Sequence, residues 1–189
     1  MREFVYYSKT AVTSGKLIQG DLMKAGRMDI VLNVFIQTFF ISNKMRDDVK
    51  LHLIFEGSGG KPKHLLFIFN PEMPVSKKDV GGLIKRMLYK SSSELKEIFP
   101  GCWVEDKNFE QVLNELEKQG KILLVLDEKG EDIRRINFSG NEVFVLGDHE
   151  GFGGKKKFLK GLEKISVGPV VYFASQVGIL INNEIDRRA

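Results

Sequence analysis

The sequence has very few of the residues that build metal and disulfide sites. Its 189 residues include one cysteine, Cys102, and three histidines, His52, His64 and His149. A lone thiol excludes an intrachain disulfide framework and a thiolate metal cluster, and it suits a reducing compartment, the cytoplasm. The histidines are too scattered for a zinc ligand set, so no metal is expected. The start, Met1-Arg2-Glu3-Phe4-Val5-Tyr6-Tyr7, lacks the apolar core of a signal peptide. One uncharged stretch, residues 165–183, has only 11 apolar residues among its 19. Gly168, Pro169, Ser175, Gln176 and Gly178 interrupt it, so it reads as a buried element and no membrane partner is expected. Two phosphate-binding signatures are also missing. Gly57-Ser58-Gly59-Gly60-Lys61-Pro62-Lys63 lacks the Gly-Lys-Ser/Thr ending and reads as a turn. The glycines at 147, 151, 153 and 154 do not form G-x-G-x-x-G at a helix start.

What is present describes an ordinary folded chain. Hydrophobic residues make up 42% and charged residues 29%, which excludes wholesale disorder. The length suits one domain, residues 1–189, with no internal repeat or dividing linker. The net charge of +4 permits a nucleic-acid partner without demanding one.

Periodicity supplies the elements. Met28, Val31, Leu32, Phe35, Ile36, Phe39 and Phe40 fall on one face of a helix over residues 28–41. Strands are expected over 3–7, 49–55 and 65–69, the last two joined by the glycine-rich turn. Ser76 followed by Asp79 marks a helix start, and the Gly81-Gly82 pair inside that helix suggests close packing. Asn108 with Gln111 marks another, which stops at Gly120. Residues 122–126 and 143–146 are continuous apolar runs, as strands covered on both faces require. A polar loop over 127–132, a short basic helix over 155–164, a strand over 165–167 and a largely buried helix over 170–185 complete the pattern. Strand and helix alternate through this half, which predicts an α/β fold with a parallel sheet flanked by helices.

In open α/β sheets ligands collect at the carboxyl ends of strands. Three such ends carry loops here: after Leu126, from Gly147 to Gly154, and at Val167-Gly168-Pro169. The second is the richest, with four glycines, Asp148 and His149 within eight residues. Glycines there can be plain turns, and Asp148 can serve as a cap. Cys102, beside Trp103, reads as a buried, inert thiol, and His52 and His64 as sheet residues. Arg27, at the first long helix, either holds a phosphate or pairs with Asp29. Two basic runs, residues 61–90 and the group Lys155, Lys156, Lys157, Lys160 and Lys164, are either solvated faces or phosphate-tracking patches.

Taken in order, Met1-Arg2-Glu3-Phe4, Gly26-Arg27-Met28-Asp29, Val143 through Phe152 and the segment 165–181 resemble the archaeal tRNA pseudouridine-54 N1-methyltransferases. That family belongs to the SPOUT class, and the similarity spans nearly the whole chain. The resemblance implies a SPOUT-type sheet with a deep C-terminal trefoil knot over about residues 120–189. It also implies a homodimer, a tRNA substrate and S-adenosyl-L-methionine as methyl donor. Nothing in the periodicity points to a knot, and knots are rare. The cofactor would be held by Leu126, by Gly147 and Gly151, by Ile165, Ser166, Val167 and Pro169, and by Val177, where the family often has cysteine.

The implied chemistry assigns catalytic roles to Asp148, Arg27 and Asp29. Pseudouridine is a C-glycoside whose N1 carries a weakly acidic proton. Asp148 would take that proton or orient the ring, Arg27 would hold RNA phosphate or the developing imide anion, and Asp29 would orient Arg27. His149 would only shape the loop. Two rivals remain open: a ribosomal-RNA pseudouridine as substrate, and a non-catalytic RNA-binding module.

Overall fold

The structure, a computed structural model, describes residues 1–42, 44–73 and 76–188, with the Lys77 side chain also outside that description. Alternation sorts each central strand between two layers. β1 (Arg2–Ser8) sends Phe4 and Tyr6 into one core and Val5 and Tyr7 into the other, all of them buried. The larger core lies under α1 (Met28–Phe39) and α2 (Lys77–Tyr89). The smaller lies under α3 (Phe109–Lys118), whose Phe109, Val112, Leu113 and Leu116 are the expected stripe.

The remaining strands are two short pieces, β2 (Phe40–Ile41) and β3 (Lys44–Met45), then β4 (Val49–Phe55) and β5 (Lys63–Ile68). They continue with β6 (Lys96–Phe99), β7 (Cys102–Glu105), β8 (Ile122–Asp132), β9 (Glu142–Leu146) and β10 (Glu163–Ser166). The main sheet has eight strands in the order β10-β8-β9-β1-β4-β5-β7-β6. β10, β8, β9, β1 and β4 run parallel. The parallel pairing expected from the second half holds for β8, β9 and β10, whereas β5, β7 and β6 of the first half pair antiparallel, so the sheet is parallel only in part. Short links join β4 to β5 and β6 to β7, and such links cannot return a strand in the same direction. The last helix, α4 (Ala174–Asp186), packs on α1 through Val177, Gly178, Ile181 and Asn182. Asn182 Nδ2 donates to Thr38 O at 3.1 Å in that seam.

Both expected caps form. Ser76 accepts from Asp79 N at 3.1 Å, and Asn108 and Gln111 bond reciprocally at 2.9 Å. Five other expectations need correction. The first long helix stops at Phe39, and Phe40 and Ile41 turn into β2. Residues 127–132 are not a loop outside the sheet. β8 bulges after Val125 and rejoins the ladder at Glu131, opposite Ile165. The basic helix reduces to a 3₁₀ turn, Gly153–Lys157, because Lys155 is drawn inward and Gly161, at φ 100°, breaks the chain soon after. The last helix starts at Ala174, and Val170, Val171 and Phe173 before it are exposed. Gly81 does pack, its Cβ position lying 3.4 Å from Leu32, but no described residue lies within 4 Å of the Cβ position of Gly82. Cys102 is fully buried as expected, and burial pushes its thiol up to about 12.

Candidate functional site

Three turns meet on one side of the sheet: the bulge within β8, where a strand end was expected after Leu126, and the carboxyl ends of β9 and β10. With the start of α4 they enclose a cavity of about 430 Å³. The first turn is the bulge of β8. Leu126 lines the cavity, and Asp127 beside it receives Lys164 Nζ at 2.6 Å, which holds its carboxyl below the usual range. Gly130 closes the bulge, and its Cβ position would lie only 2.5 Å from Ile165 N and C.

The second turn follows β9. Gly147 passes so close to Gly151 that a Cβ would meet its carbonyl carbon at 2.8 Å. Gly151 N donates to Asp148 O at 2.8 Å. The Asp148 carboxylate is 9% exposed as a residue and takes three hydrogen bonds. Ser8 Oγ and Lys9 N donate to Oδ2, each at 3.0 Å, and Glu150 N donates to Oδ1 at 2.8 Å. Lys9 also reaches Glu150 at 3.0 Å and keeps that carboxyl below its ordinary range.

The third turn follows β10. Ser166 Oγ donates to Gly168 O at 2.7 Å and accepts from Gly168 N at 3.2 Å, which closes the turn, and Ile165 through Gly168 line the cavity. The Tyr172 ring backs the turn, 3.0 Å from the Cβ position of Gly168. Gln176 Oε1 accepts from Phe173 N at 3.0 Å and caps α4 beside Val177.

Leu126, Gly147, Asp148 and Gly151 therefore share one cavity with Ile165, Ser166, Val167 and Val177. Pro169 is exposed and does not line it. Arg27 and Asp29 stand just outside, with Ile30 as the nearest lining residue in sequence. They make a two-pronged ion pair, 3.0 Å for both contacts, that holds the Asp29 carboxyl below its usual range. Arg27 sits at φ 62°, alone among described non-glycine residues in the left-handed region. Such a backbone costs about 1–3 kcal/mol and marks a position fixed by its surroundings. Arg27 thus points at Asp29, the second of the two readings open at the sequence level.

Sequence reasoning missed the turn after β1. Thr10 Oγ1 donates to Gly26 O at 3.1 Å, so Ser8, Lys9 and Thr10 join the Asp148 turn to the Arg27 turn. It also missed Glu128, Tyr172 and Gln176 on the cavity wall, where the exposed Lys156 is the member of the expected basic group that joins them. The lysine run divides. Lys155 bonds Glu56 and Glu110, both at 2.8 Å, and lies over the Tyr7 ring, so it is a structural tie. Lys157 and Lys160 face solvent.

The cavity suits a ligand that is part apolar and part zwitterion. Its volume is within the usual range for small-molecule sites. Leu126, Leu146 and Val177 offer apolar wall, the turns offer backbone donors and acceptors, and Glu128 and Lys156 offer opposite charges. Those features fit a nucleoside sulfonium with an amino-acid tail. Among the described residues there is no cluster that could hold a metal ion, and no helix is long and apolar enough to cross a membrane.

A family model described as "Putative SAM-dependent RNA methyltransferase" matches residues 1–189. The tRNA (pseudouridine(54)-N(1))-methyltransferase of Methanococcoides burtonii is 36% identical, over 99% of this chain and 96% of the relative. The protein of the same name from Methanococcus maripaludis is 33% identical over 99% of both chains. Among solved structures, Archaeoglobus fulgidus Nep1 bound to S-adenosylhomocysteine superposes with a TM-score of 0.65. It covers 98% of this chain and 97% of its own at 14% identity, a likeness of fold.

Proposed function

The chain belongs to the SAM-dependent RNA methyltransferase family, and on that premise we propose that it methylates N1 of pseudouridine at position 54 of tRNA. The observation that carries this reading is the convergence of the three turns on one cavity, with Asp148 at its wall. The activity named for the relatives over the full chain length supports the choice of substrate.

S-adenosyl-L-methionine supplies an electrophilic methyl group. The residues therefore have to bind, position and move one proton. The turns at Leu126, Gly147 with Gly151, and Ile165 through Val167 hold the donor, with Val177 packed beside them and Pro169 outside the wall. Pseudouridine N1 must lose its proton to attack, and Asp148 is the acid on the wall that can accept it or orient the ring. Ser8 Oγ and Lys9 N fix the direction of that carboxylate. Asp29 orients Arg27 toward RNA phosphate or the anion that forms on the base. Uridine has no free ring nitrogen at the corresponding position, so isomerisation must come first.

We further take the whole chain as one methyltransferase domain, cytoplasmic and acting as a homodimer, with its donor-binding part over about residues 120–189 tied in a trefoil knot. Membership of the family supports the knot, and the strand order, with β10 on the side of β8 away from β9, is compatible with it.

Incubation of the protein with donor and pseudouridine-containing tRNA, followed by mass spectrometry of the nucleosides, is expected to yield N1-methylpseudouridine. Absence of that product, with donor binding intact, removes the reading. Asp148→Asn is expected to slow methyl transfer by about 100-fold or more, the usual span for a lost acid–base group, with donor affinity little changed. Loss of donor binding in that variant would instead make Asp148 a loop support.

A further inference from the structure

The carboxyl edge of the sheet does not end at the cavity. Beyond β9 and β1 it continues to β4, where the turn into β5 leans on the segment after β1. A Cβ at Gly57 would meet Thr10 O at 2.2 Å, and Thr13 N donates to Ser58 O at 2.8 Å. The 3₁₀ turn Gly15–Leu17 comes next and presses on α2. At Gly15 a Cβ would lie 2.5 Å from both Lys85 O and the Tyr89 ring. These contacts make one continuous surface from the Arg27 turn to α2.

The surface is cationic. Lys16, Lys61 and Lys78 are exposed and Lys85 is half-buried, and none of the four is ion-paired among the described residues. Of the acids nearby, Asp79 accepts from Ser76 and keeps its negative charge, and Asp21 faces Lys24 at 3.7 Å, so the four lysines outnumber the nearby acids. Along α2, Lys78, Gly82, Lys85 and Tyr89 fall at spacings of four, three and four, one stripe on the helix. The opposite face, Val80, Ile84 and Met87, is buried in the core. Tyr89 is 54% exposed at the end of the stripe.

Gly82 is the second, independent observation. A glycine inside a helix costs about 1 kcal/mol relative to alanine. Gly81 has a reason within the chain, its packing against Leu32. Gly82 has none, because nothing among the described residues lies within 4 Å of its Cβ position. It leaves bare helix backbone between Lys78 and Lys85, where something outside the chain can come close.

We infer that this face, made by Lys16, Lys61 and the Lys78–Gly82–Lys85–Tyr89 stripe, docks the sugar–phosphate backbone of the substrate RNA, with Tyr89 stacking on an unpaired base. The inference rests on the reading of the chain as an RNA methyltransferase. It adds where the RNA leaves the cavity: along the carboxyl edge toward α2. Lysines neutralise phosphates through counterion release, and an exposed aromatic among them offers a face to any base.

The test uses a fluorescent tRNA transcript with uridine at position 54, so that no methyl transfer intervenes, and measures anisotropy across a potassium chloride series. The triple variant Lys16→Ala, Lys78→Ala, Lys85→Ala is expected to bind about tenfold or more weakly. Its slope of log affinity against log salt is expected to fall by about two, at roughly 0.7–0.9 per phosphate contact. A control triple at exposed lysines elsewhere, Lys44, Lys96 and Lys118, is expected to leave both nearly unchanged. Tyr89→Ala is expected to weaken binding with the slope preserved. Gly82→Gln is expected to raise the unfolding midpoint and lower tRNA affinity, a combination that a purely structural glycine would not give. Equal losses in the two triples, or an unchanged slope in the first, overturns the docking face. Failures can be told apart: donor binding without any tRNA binding removes the face and leaves the donor site. Face-dependent tRNA binding without N1-methylpseudouridine leaves the face and removes the proposed substrate.

Discussion

Glu3, His52, His64 and Glu105 form a chain of side chains across β1, β4, β5 and β7, on the α3 side of the sheet. His52 Nε2 lies 2.9 Å from Glu3, the two rings meet at 2.8 Å between Nδ1 and Nε2, and His64 Nδ1 lies 2.8 Å from Glu105. Two N–H groups aimed at the glutamates leave the ring-to-ring contact without a hydrogen. Full hydrogen bonding therefore takes a third proton, shared by the pair. Burial pushes His52 down to about 4, against the pull of Glu3 and with the help of His64. An unfolded histidine titrates near 6.5. Between those values the unfolded chain binds more protons, so stability rises with pH. The contribution is complete above about 6.5 and is lost as pH falls toward 4. Urea unfolding at stepped pH is expected to show that fall, and His52→Gln to flatten it. A flat wild-type profile over the same window would contradict the account. These histidines were rightly read as sheet residues, but their mutual contact was invisible, because it depends on the register of β4 with β5.

At the scale of elements, the bulge of β8 is the feature on which the cavity depends most. Without it β8 would run straight past β10, and Leu126 and Asp127 would not stand at the cavity wall. Gly130 permits the bulge to close against the Ile165 backbone. Gly130→Ala is expected to cost about 1–3 kcal/mol, as for other overpacked sites, and to weaken donor binding because Ile165 leads into the third turn. Calorimetric titration with S-adenosyl-L-methionine and thermal melts check both; normal binding would show that the bulge is dispensable. The sequence showed a polar stretch here and nothing more, since a bulge is defined by its partner strand. Helix starts were more legible. Asn108 and Gln111 act within four residues, so their bonds need no tertiary partner. The opposite error came in the last helix, where apolar composition suggested burial all round. Ile179 is 42% exposed, because α4 packs on α1 and on the 3₁₀ turn Ile133–Arg135 and leaves its other side open.

At the scale of the molecule, the two ends of the chain are tied to each other. Asp186, near the end of α4, takes Arg46 Nη1 at 2.9 Å, Arg46 Nη2 at 2.6 Å and Arg2 Nη2 at 2.6 Å. Arg2 also reaches Asn182 Oδ1 at 3.2 Å and Asp48 at 2.9 Å. Arg46, with Arg2 behind it, keeps the Asp186 carboxyl below its usual range. Asp186→Ala leaves two mostly buried guanidiniums short of a partner. It is expected to destabilise the protein by about 1–2 kcal/mol, discounted for the partial exposure of the carboxylate. Denaturant unfolding measures the loss, and limited proteolysis is expected to cut first in α4. Unchanged unfolding and cleavage would show the tie to be incidental.

Local chemistry made the strands, helices, caps and glycine turns readable in the chain, because each depends on spacing over a few neighbouring residues. The same local pattern marked the three turns that line the cavity. It did not mark Ser8, Lys9 or Thr10, it did not separate Lys156 from the rest of its lysine group, and it did not separate Gly82 from Gly81. Those depend on the order of strands in the sheet: Ser8 holds Asp148 across 140 residues of chain only because β1 lies beside β9. Hydrophobic periodicity states which face of a strand is buried. Which strand lies next to which is settled only by packing the two cores, and that neighbourhood is what turns separate loops into one site.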